Sequence, residues 1–367
     1  MKVNFLSENI QPFIGLLGRV LSPHAQIPVL SSVLLEATGD GLVLSATDLE
    51  FGVRVKIPAK TEEEGGVLVP GKQILEILAS LPHEKTSLSQ EKDTLVLKTN
   101  SNSFSFQSLP KEEFPKLFEE KGERAAEFTG AGFADIFGKL VYAVSQDESR
   151  PHLTGVHIAK KEGGVDMVAT DGFRLSLKKN TGAGEGIALS GVTISQRLVS
   201  EGLSLKEADK ITLYIHPQNN QAILEAPNVL LIGRLIEGSY PDYERVLPKE
   251  LKTALTVDKE SLVKSLRTVS VFARENANVV NLSATNGVLE LKANPSSLGE
   301  ADAQIDCLQK GEDVSIAFNI KFLQDFLKNI SEKQVVIRIN SAFDPAQLEI
   351  PEDKNFLHVI MPVRVQD

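Results

Sequence analysis

Two aspartates in matching settings, Asp48 in Ala46-Thr47-Asp48 and Asp171 in Ala169-Thr170-Asp171, are the carboxylates best placed for chemistry, each closing an apolar run that ends in threonine. Carboxylates converging on one cavity can hold a divalent cation or divide acid and base roles between them. Duplication argues for a plainer task. An aspartate at a repeated turn accepts backbone N–H bonds and closes that turn. Other chemistry has little to stand on: the six histidines show no HExxH spacing, Cys307 is the single cysteine, and neither a Walker-type GKS nor a GxGxxG after a strand occurs. The expectation is therefore no catalytic residue, no metal and no cofactor. The alternative is a nucleic-acid enzyme that holds Mg²⁺ with Asp48, Asp171 and neighbouring acids; a third reading is a plain interaction scaffold.

What positions the two aspartates is a triplication. Three similar segments of about 124 residues follow one another, and self-similarity at a fixed period decides architecture before any single motif does. The first predicts an amphipathic helix over residues 9–21, a strand over 28–35 and another over 44–48 with its turn. The second answers with a helix over 133–144 and strands over 153–158 and 167–171, the third with 259–271, 279–284 and 289–294. A second helix recurs in each copy where a strand end runs into an apolar stripe, at 74–81, 198–205 and 322–330. Alternating stretches such as Ser103-Phe104-Ser105-Phe106 and Val335-Val336-Ile337-Arg338-Ile339 read as half-buried strands. The fold class is α+β: three repeated domains at 1–124, 125–249 and 250–367, each with two helices packed on antiparallel sheet.

Composition fits three cores. The 367 residues are 42% hydrophobic and 24% charged, with a formal net charge of −10. No apolar run approaches the ~20 residues of a membrane span, the N-terminal residues lack a signal-peptide pattern, and a lone cysteine suits a reducing compartment, so the expected location is cytoplasmic with no membrane partner. Residues 61–66 read as a hairpin loop, 119–124 as a linker and 180–186 as a further loop; the second boundary is expected near Pro248-Lys249-Glu250.

Several longer motifs now fall in order: Ile27-Pro28-Val29-Leu30-Ser31-Ser32, Asp147-Glu148-Ser149-Arg150-Pro151-His152-Leu153-Thr154-Gly155, Ala169-Thr170-Asp171-Gly172-Phe173-Arg174-Leu175, Ile236-Glu237-Gly238-Ser239-Tyr240-Pro241-Asp242-Tyr243 and the ending Met361-Pro362-Val363-Arg364. Together they resemble the bacterial DNA polymerase III β subunit family, the sliding clamps, along the whole chain. The resemblance implies a head-to-tail homodimer closing into a ring around double-stranded DNA, a processivity factor of DNA replication and not an enzyme. Twelve helices at ~10 Å each would trace a circle of roughly 120 Å and leave a hole of roughly 28 Å, wider than a duplex of about 20 Å.

The acidic net charge is reconciled with DNA by placement. Arg19, Lys72, Lys139, Arg197, Lys264, Arg267, Lys321 and Lys328 fall in the proposed lining helices, with His24, Arg150 and His152 at the ring face. Such contacts would be phosphate-directed and blind to base sequence, as sliding requires. The resemblance further implies a hydrophobic pocket between the second and third domains for short peptides, formed by Leu153, Thr170, Gly172, Phe173, Arg174, Leu175, Pro241, Arg245, Val246, Val359, Met361, Pro362, Val363 and Arg364. Its partners would be the replicative DNA polymerase alpha subunit, the clamp loader delta subunit, other DNA polymerases and mismatch-repair proteins. Dimer contacts are expected from Phe104 and Phe106 against Val271 and Phe272 of the second copy, because alternating Phe on an edge strand otherwise invites aggregation.

Overall fold

The computed structural model describes residues 1–22, 27–116, 120–161, 164–179, 191–275, 277–296 and 299–364. His24 and the three residues after Arg364 lie outside them, as does the loop expected at 180–186. Six α-helices are present among the described residues: α1 (Gln11–Gly18), α2 (Gly71–Ser80), α3 (Gly130–Val141), α4 (Gln196–Gly202), α5 (Lys259–Ala273) and α6 (Ile320–Lys328). The apolar stripe fixes which face each buries. In α6, Ile320, Leu323, Phe326 and Leu327 are buried while Lys321 and Lys328 are exposed, the i, i+3, i+4 spacing of a helix laid on a sheet. Its start is set by Asn319, whose Oδ1 accepts the Lys321 N–H at 3.0 Å; Asp258 does the same for α5, accepting from Ser261 N–H at 2.8 Å.

The chain forms two compact units, Met1–Phe133 with Arg197–Leu235, and Ala134–Gln196 with Ile236–Asp367. In the first, an antiparallel sheet runs in the order Gly65–Pro70, Ser32–Thr38, Gly41–Thr47, Phe51–Ile57, Val229–Ile236, Gln221–Ala226, Ile211–His216, Glu123–Phe128. A second sheet orders Ala59–Glu63, Lys2–Leu6, Lys85–Glu91, Thr94–Lys98 and Ser103–Gln107. The second unit repeats the long sheet: Val192–Ser195, Gly155–Lys161, Gly164–Thr170, Arg174–Lys178, Asp353–Ile360, Ala346–Ile350, Gln334–Ile339, Thr253–Asp258. Each long sheet thus joins strands of one sequence repeat to strands of the next.

Three expectations change. Residues 28–31 form a 3₁₀ turn and the strand begins only at Ser32; Pro28 fixes its own φ and offers no N–H to a ladder. Residues 61–66 are mostly strand rather than loop: Ala59–Glu63 and Gly65–Pro70 flank Glu64. The charges that suggested a loop suit a sheet edge, where Glu62 pairs with Lys2 at 2.7 Å and Glu63 with the N-terminal amine. Within 119–124, the strand Glu123–Phe128 already begins. No helix among the described residues is long and apolar enough to cross a membrane.

Candidate partner-binding site

In the second unit, Thr170 and Asp171 end a strand and fold back into Arg174–Lys178. Asp171 Oδ1 accepts from the N–H of Phe173 at 2.9 Å and of Arg174 at 3.0 Å, and Thr170 Oγ1 accepts from Gly172 N–H while donating to the Arg174 carbonyl at 2.6 Å. Gly172 sits at φ +91°, a conformation that favours glycine. Both carboxylates singled out in the sequence are thereby explained as turn residues, since Asp48 Oδ1 likewise accepts from Glu50 and Phe51 N–H at 3.1 and 2.8 Å in the first unit. They belong to different units.

Arg174 anchors this turn. Its side chain is 10% exposed and lies over the rings of Phe322 and Tyr142, 4.7 and 5.6 Å from their centroids. It donates to Asp171 Oδ2 at 3.1 Å, Asp325 Oδ2 at 2.6 Å and the Tyr142 carbonyl at 2.7 Å. A guanidinium this enclosed requires compensation on every donor. Beyond the turn, the Phe173 carbonyl accepts the Met361 N–H at 2.8 Å, so the tip of the turn and the end of strand Asp353–Ile360 are joined by backbone.

Between them lies an apolar cleft of about 150 Å³, lined by Leu153, Thr170, Gly172, Phe173, Arg174, Leu175, Pro241, Asp242, Tyr243, Val246, Val359 and Met361. Three large side chains on its lip are exposed: Phe173 at 59%, Val246 at 41% and Met361 at 39%. On its floor Leu175, Tyr243 and Val359 are buried in one cluster with Val168 and Leu177. Four residues named from the sequence do not line the cleft. Arg245 is 84% exposed and held by Asp242 at 2.8 Å; after Met361 the chain leaves, with Val363 N–H donating to the Ala317 carbonyl, so Pro362, Val363 and Arg364 fall outside. Asp242 and Tyr243 were missed, although the Tyr-Pro-Asp-Tyr run that carries them was in view. Tyr243 donates to Asp166 at 3.1 Å, and burial followed by the Asp166 charge pushes its hydroxyl up to about 12.

Two histidines sit under this region. His157 bonds Thr193 at 3.0 Å and stacks on Tyr240 with centroids 4.3 Å apart; burial pushes it down to about 4. His358 is fully buried against Ser176 and Tyr142 at 2.8 and 3.2 Å, and burial, then the Arg174 charge, push it down to about 3.

Among the basic residues expected at DNA, Lys72, Lys264, Arg267, Lys321 and Lys328 are exposed on α2, α5 and α6. Arg19 is bound to Glu201 at 2.7 Å, Arg150 to Asp147 at 3.0 Å, and Arg197 to Asp48; His152 is half-buried. Lys139 is a correction. It is 4% exposed, and its ammonium meets Asp135, Glu332 and Asp353 at 2.8, 3.0 and 3.3 Å, while Lys178 also holds Asp353 at 2.7 Å. Burial pulls the Lys139 pKa down, and hydrogen bonds and charge from Asp135 and Glu332 outweigh it, leaving it raised. A phosphate cannot reach this cation. The dimer expectation changes too: Ser103–Gln107 is an edge strand, but Phe106 is buried in its own core, Phe104 and Phe272 are half-buried, and only Val271, at 62%, stands exposed.

Comparison with known proteins accords with three repeats of one kind. Residues 2–118 match the DNA polymerase III beta subunit N-terminal domain, 128–242 its central domain and 244–364 its C-terminal domain. The beta sliding clamp of Chlamydia muridarum is 30% identical over 349 residues, covering 95% of this chain and 94% of that one. Among solved structures, the Thermotoga maritima beta subunit is 27% identical with a TM-score of 0.88, and the Bartonella birtlesii sliding clamp bound to griselimycin is 25% identical with a TM-score of 0.92, both covering 100% of each chain. The chain belongs to the DNA polymerase III beta subunit family: it is a sliding clamp, a non-catalytic processivity factor of DNA replication.

Proposed function

We propose that two copies close head to tail into a ring around duplex DNA and that the apolar cleft tethers partner proteins to it. The observation that carries the tether is the cleft itself. Its exposed lining is mostly apolar and its about 150 Å³ matches cavities that accept a benzene-sized group, so an apolar peptide side chain fits where a polar metabolite would lose hydration unrepaid. Griselimycin, to which the Bartonella birtlesii clamp is bound, is a ligand with which this cleft can be probed. Occupants would be short hydrophobic segments of the polymerase alpha subunit, the clamp loader delta subunit, other polymerases and mismatch-repair proteins, in a cytoplasmic setting. Domain boundaries near 124 and 249 belong to this reading; the matched segments leave a gap at 119–127, and the C-terminal match begins at 244.

Lys72, Lys264, Arg267, Lys321 and Lys328, with Arg19, Arg150, His152 and Arg197, supply loose phosphate contact inside the ring. Among the described residues, the open edges of Ser103–Gln107 and Ala301–Asp306, with Phe104, Val271 and Phe272 beside them, supply the closure. Encirclement is tested by topology. After loader-assisted assembly at moderate salt, the protein should stay on nicked circles, run off linear duplex and be retained again when both ends are blocked. Equal loss from all three would reject the ring.

A further inference from the structure

The structure assigns a positioning role for the cleft to Asp325, a residue of α6 that does not line it; the inference rests on the cleft being the binding site. Asp325 acts through Arg174. Its Oδ2 accepts from Arg174 Nη1 at 2.6 Å, the shortest of the three polar contacts that hold this guanidinium. Asp171 cannot do the task alone, because its Oδ1 already closes the turn by accepting two backbone N–H groups and only Oδ2 turns to Arg174. One enclosed cation thus sits between two carboxylates and two rings, with no slack in any direction. Arg174 is also the first residue of its strand and directly precedes Leu175 on the cleft floor, while Phe173 before it carries the carbonyl that holds Met361 N–H.

Neutralising Asp325 leaves Arg174 under-compensated in an enclosed place, where it must seek water. The turn that frames the cleft is the part free to follow. The lips at Phe173 and Met361 then lose their fixed spacing, and a rigid ligand meets a site that must be ordered before it binds. A corresponding latch exists in the first unit, where Arg197 bonds Asp48 and lies 4.9 Å over the Phe51 ring. It belongs to the other unit, supplies none of the residues lining the cleft, and serves as the control.

The test is calorimetric titration of the full-length protein with griselimycin, alongside solution mass and thermal unfolding. Asp325→Asn, which keeps shape and removes charge, is expected to weaken binding five- to twentyfold at unchanged oligomeric mass. Asp325→Glu should recover to within about threefold, whereas Asp48→Asn should leave affinity unchanged. Wild-type affinity in Asp325→Asn, or an equal loss in Asp48→Asn, overturns the assignment. Should Asp325→Asn fail to fold, Phe322→Leu loosens the same guanidinium from its stacked face; unchanged affinity there overturns it equally. Met361→Ala separates the two readings. If it too binds as wild type, the cleft is not the site and the proposed tether falls; if it weakens binding while Asp325→Asn does not, only the Asp325 role falls.

Discussion

The turns Thr47–Phe51 of the first unit and Thr170–Arg174 of the second are built alike and used differently. In each, a threonine hydroxyl accepts the N–H two residues on and an aspartate carboxylate accepts the next two. Each is then latched by a cation on an aromatic ring, but the partners have exchanged places. In the first unit the ring, Phe51, begins the strand and the cation, Arg197, begins the helix; in the second the cation, Arg174, begins the strand and Phe322 lies near the start of the helix. An interaction defined by attraction survives the swap because it has no preferred donor side.

The third turn residue makes the larger difference. Leu49 takes φ +78° in the first unit and packs against Val29, Leu30, Leu34, Leu68 and Phe114. A leucine there is strained by about 1–2 kcal/mol, which its apolar contacts offset. Gly172 holds the same left-handed place with no side chain and lines the cleft, where a Cβ would come within 3.1 Å of the Arg150 guanidinium. A side chain packs one turn against its own core, and the other turn gives its cleft backbone alone at that place.

The comparison can be broken most severely at Lys139, which belongs to the second unit alone. Lys139→Ala leaves Glu332 and Asp353 near each other with only Lys178 between the network and an uncompensated charge, so stability of that unit should fall by about 3–5 kcal/mol. Urea unfolding monitored by hydrogen exchange in Asp353–Ile360 against Phe51–Ile57 reads it, and a uniform loss in both strands would contradict the placement. Next in size is Gly172→Leu, which gives the second turn the side chain of the first. Crowding the cleft margin should weaken griselimycin binding at the proposed site by about 2–3 kcal/mol, with strain of about 1–2 kcal/mol showing as a lower thermal midpoint. Retained affinity would mean that the ligand binds elsewhere.

The smallest effect is acid sensitivity. His157 and His358 have folded pKa values of about 4 and about 3, below the ordinary 6.5. Folding holds both rings neutral, so their contribution is complete above pH 6.5 and is lost as pH falls toward 4 and then 3, because the unfolded chain takes up the protons first. The second unit should therefore lose about 1–2 kcal/mol more than the first between pH 7 and pH 6. Paired urea titrations at the two pH values decide it; equal losses would show that these burials do not separate the units.

The repeat was legible because apolar stripes keep their period whatever the tertiary detail, and five of the helix-borne cations are exposed where a helix wheel puts them. Turn chemistry was legible as well, since Thr-Asp before a bend can satisfy the local N–H groups within four residues. Lys139 was not. Two of its carboxylates stand 193 and 214 positions away, so a solvated lysine and a buried one look identical along the chain. Phe106 failed for a related reason: alternation says that Phe104 and Phe106 share a face, and only the packed sheet says that the face is inward. In the cleft, ten of the residues that the resemblance named line one cavity. Tyr243 and Asp242 escaped because a hydroxyl bound to Asp166 and a carboxylate bound to Arg245 read as loop polarity.

Strand Phe51–Ile57 is bonded along Val229–Ile236, and Arg174–Lys178 along Asp353–Ile360, each by a run of backbone rungs. Under mechanical load such rungs share the force in parallel, and a shear directed along the strands must rupture several at once. Among the described residues, the outer margins of Ser103–Gln107 and Ala301–Asp306 carry no such ladder on the side away from their paired strand. A tensile pull on an assembled molecule is thus expected to part at those margins while each long sheet stays whole, so that yielding is reversible and leaves every core intact.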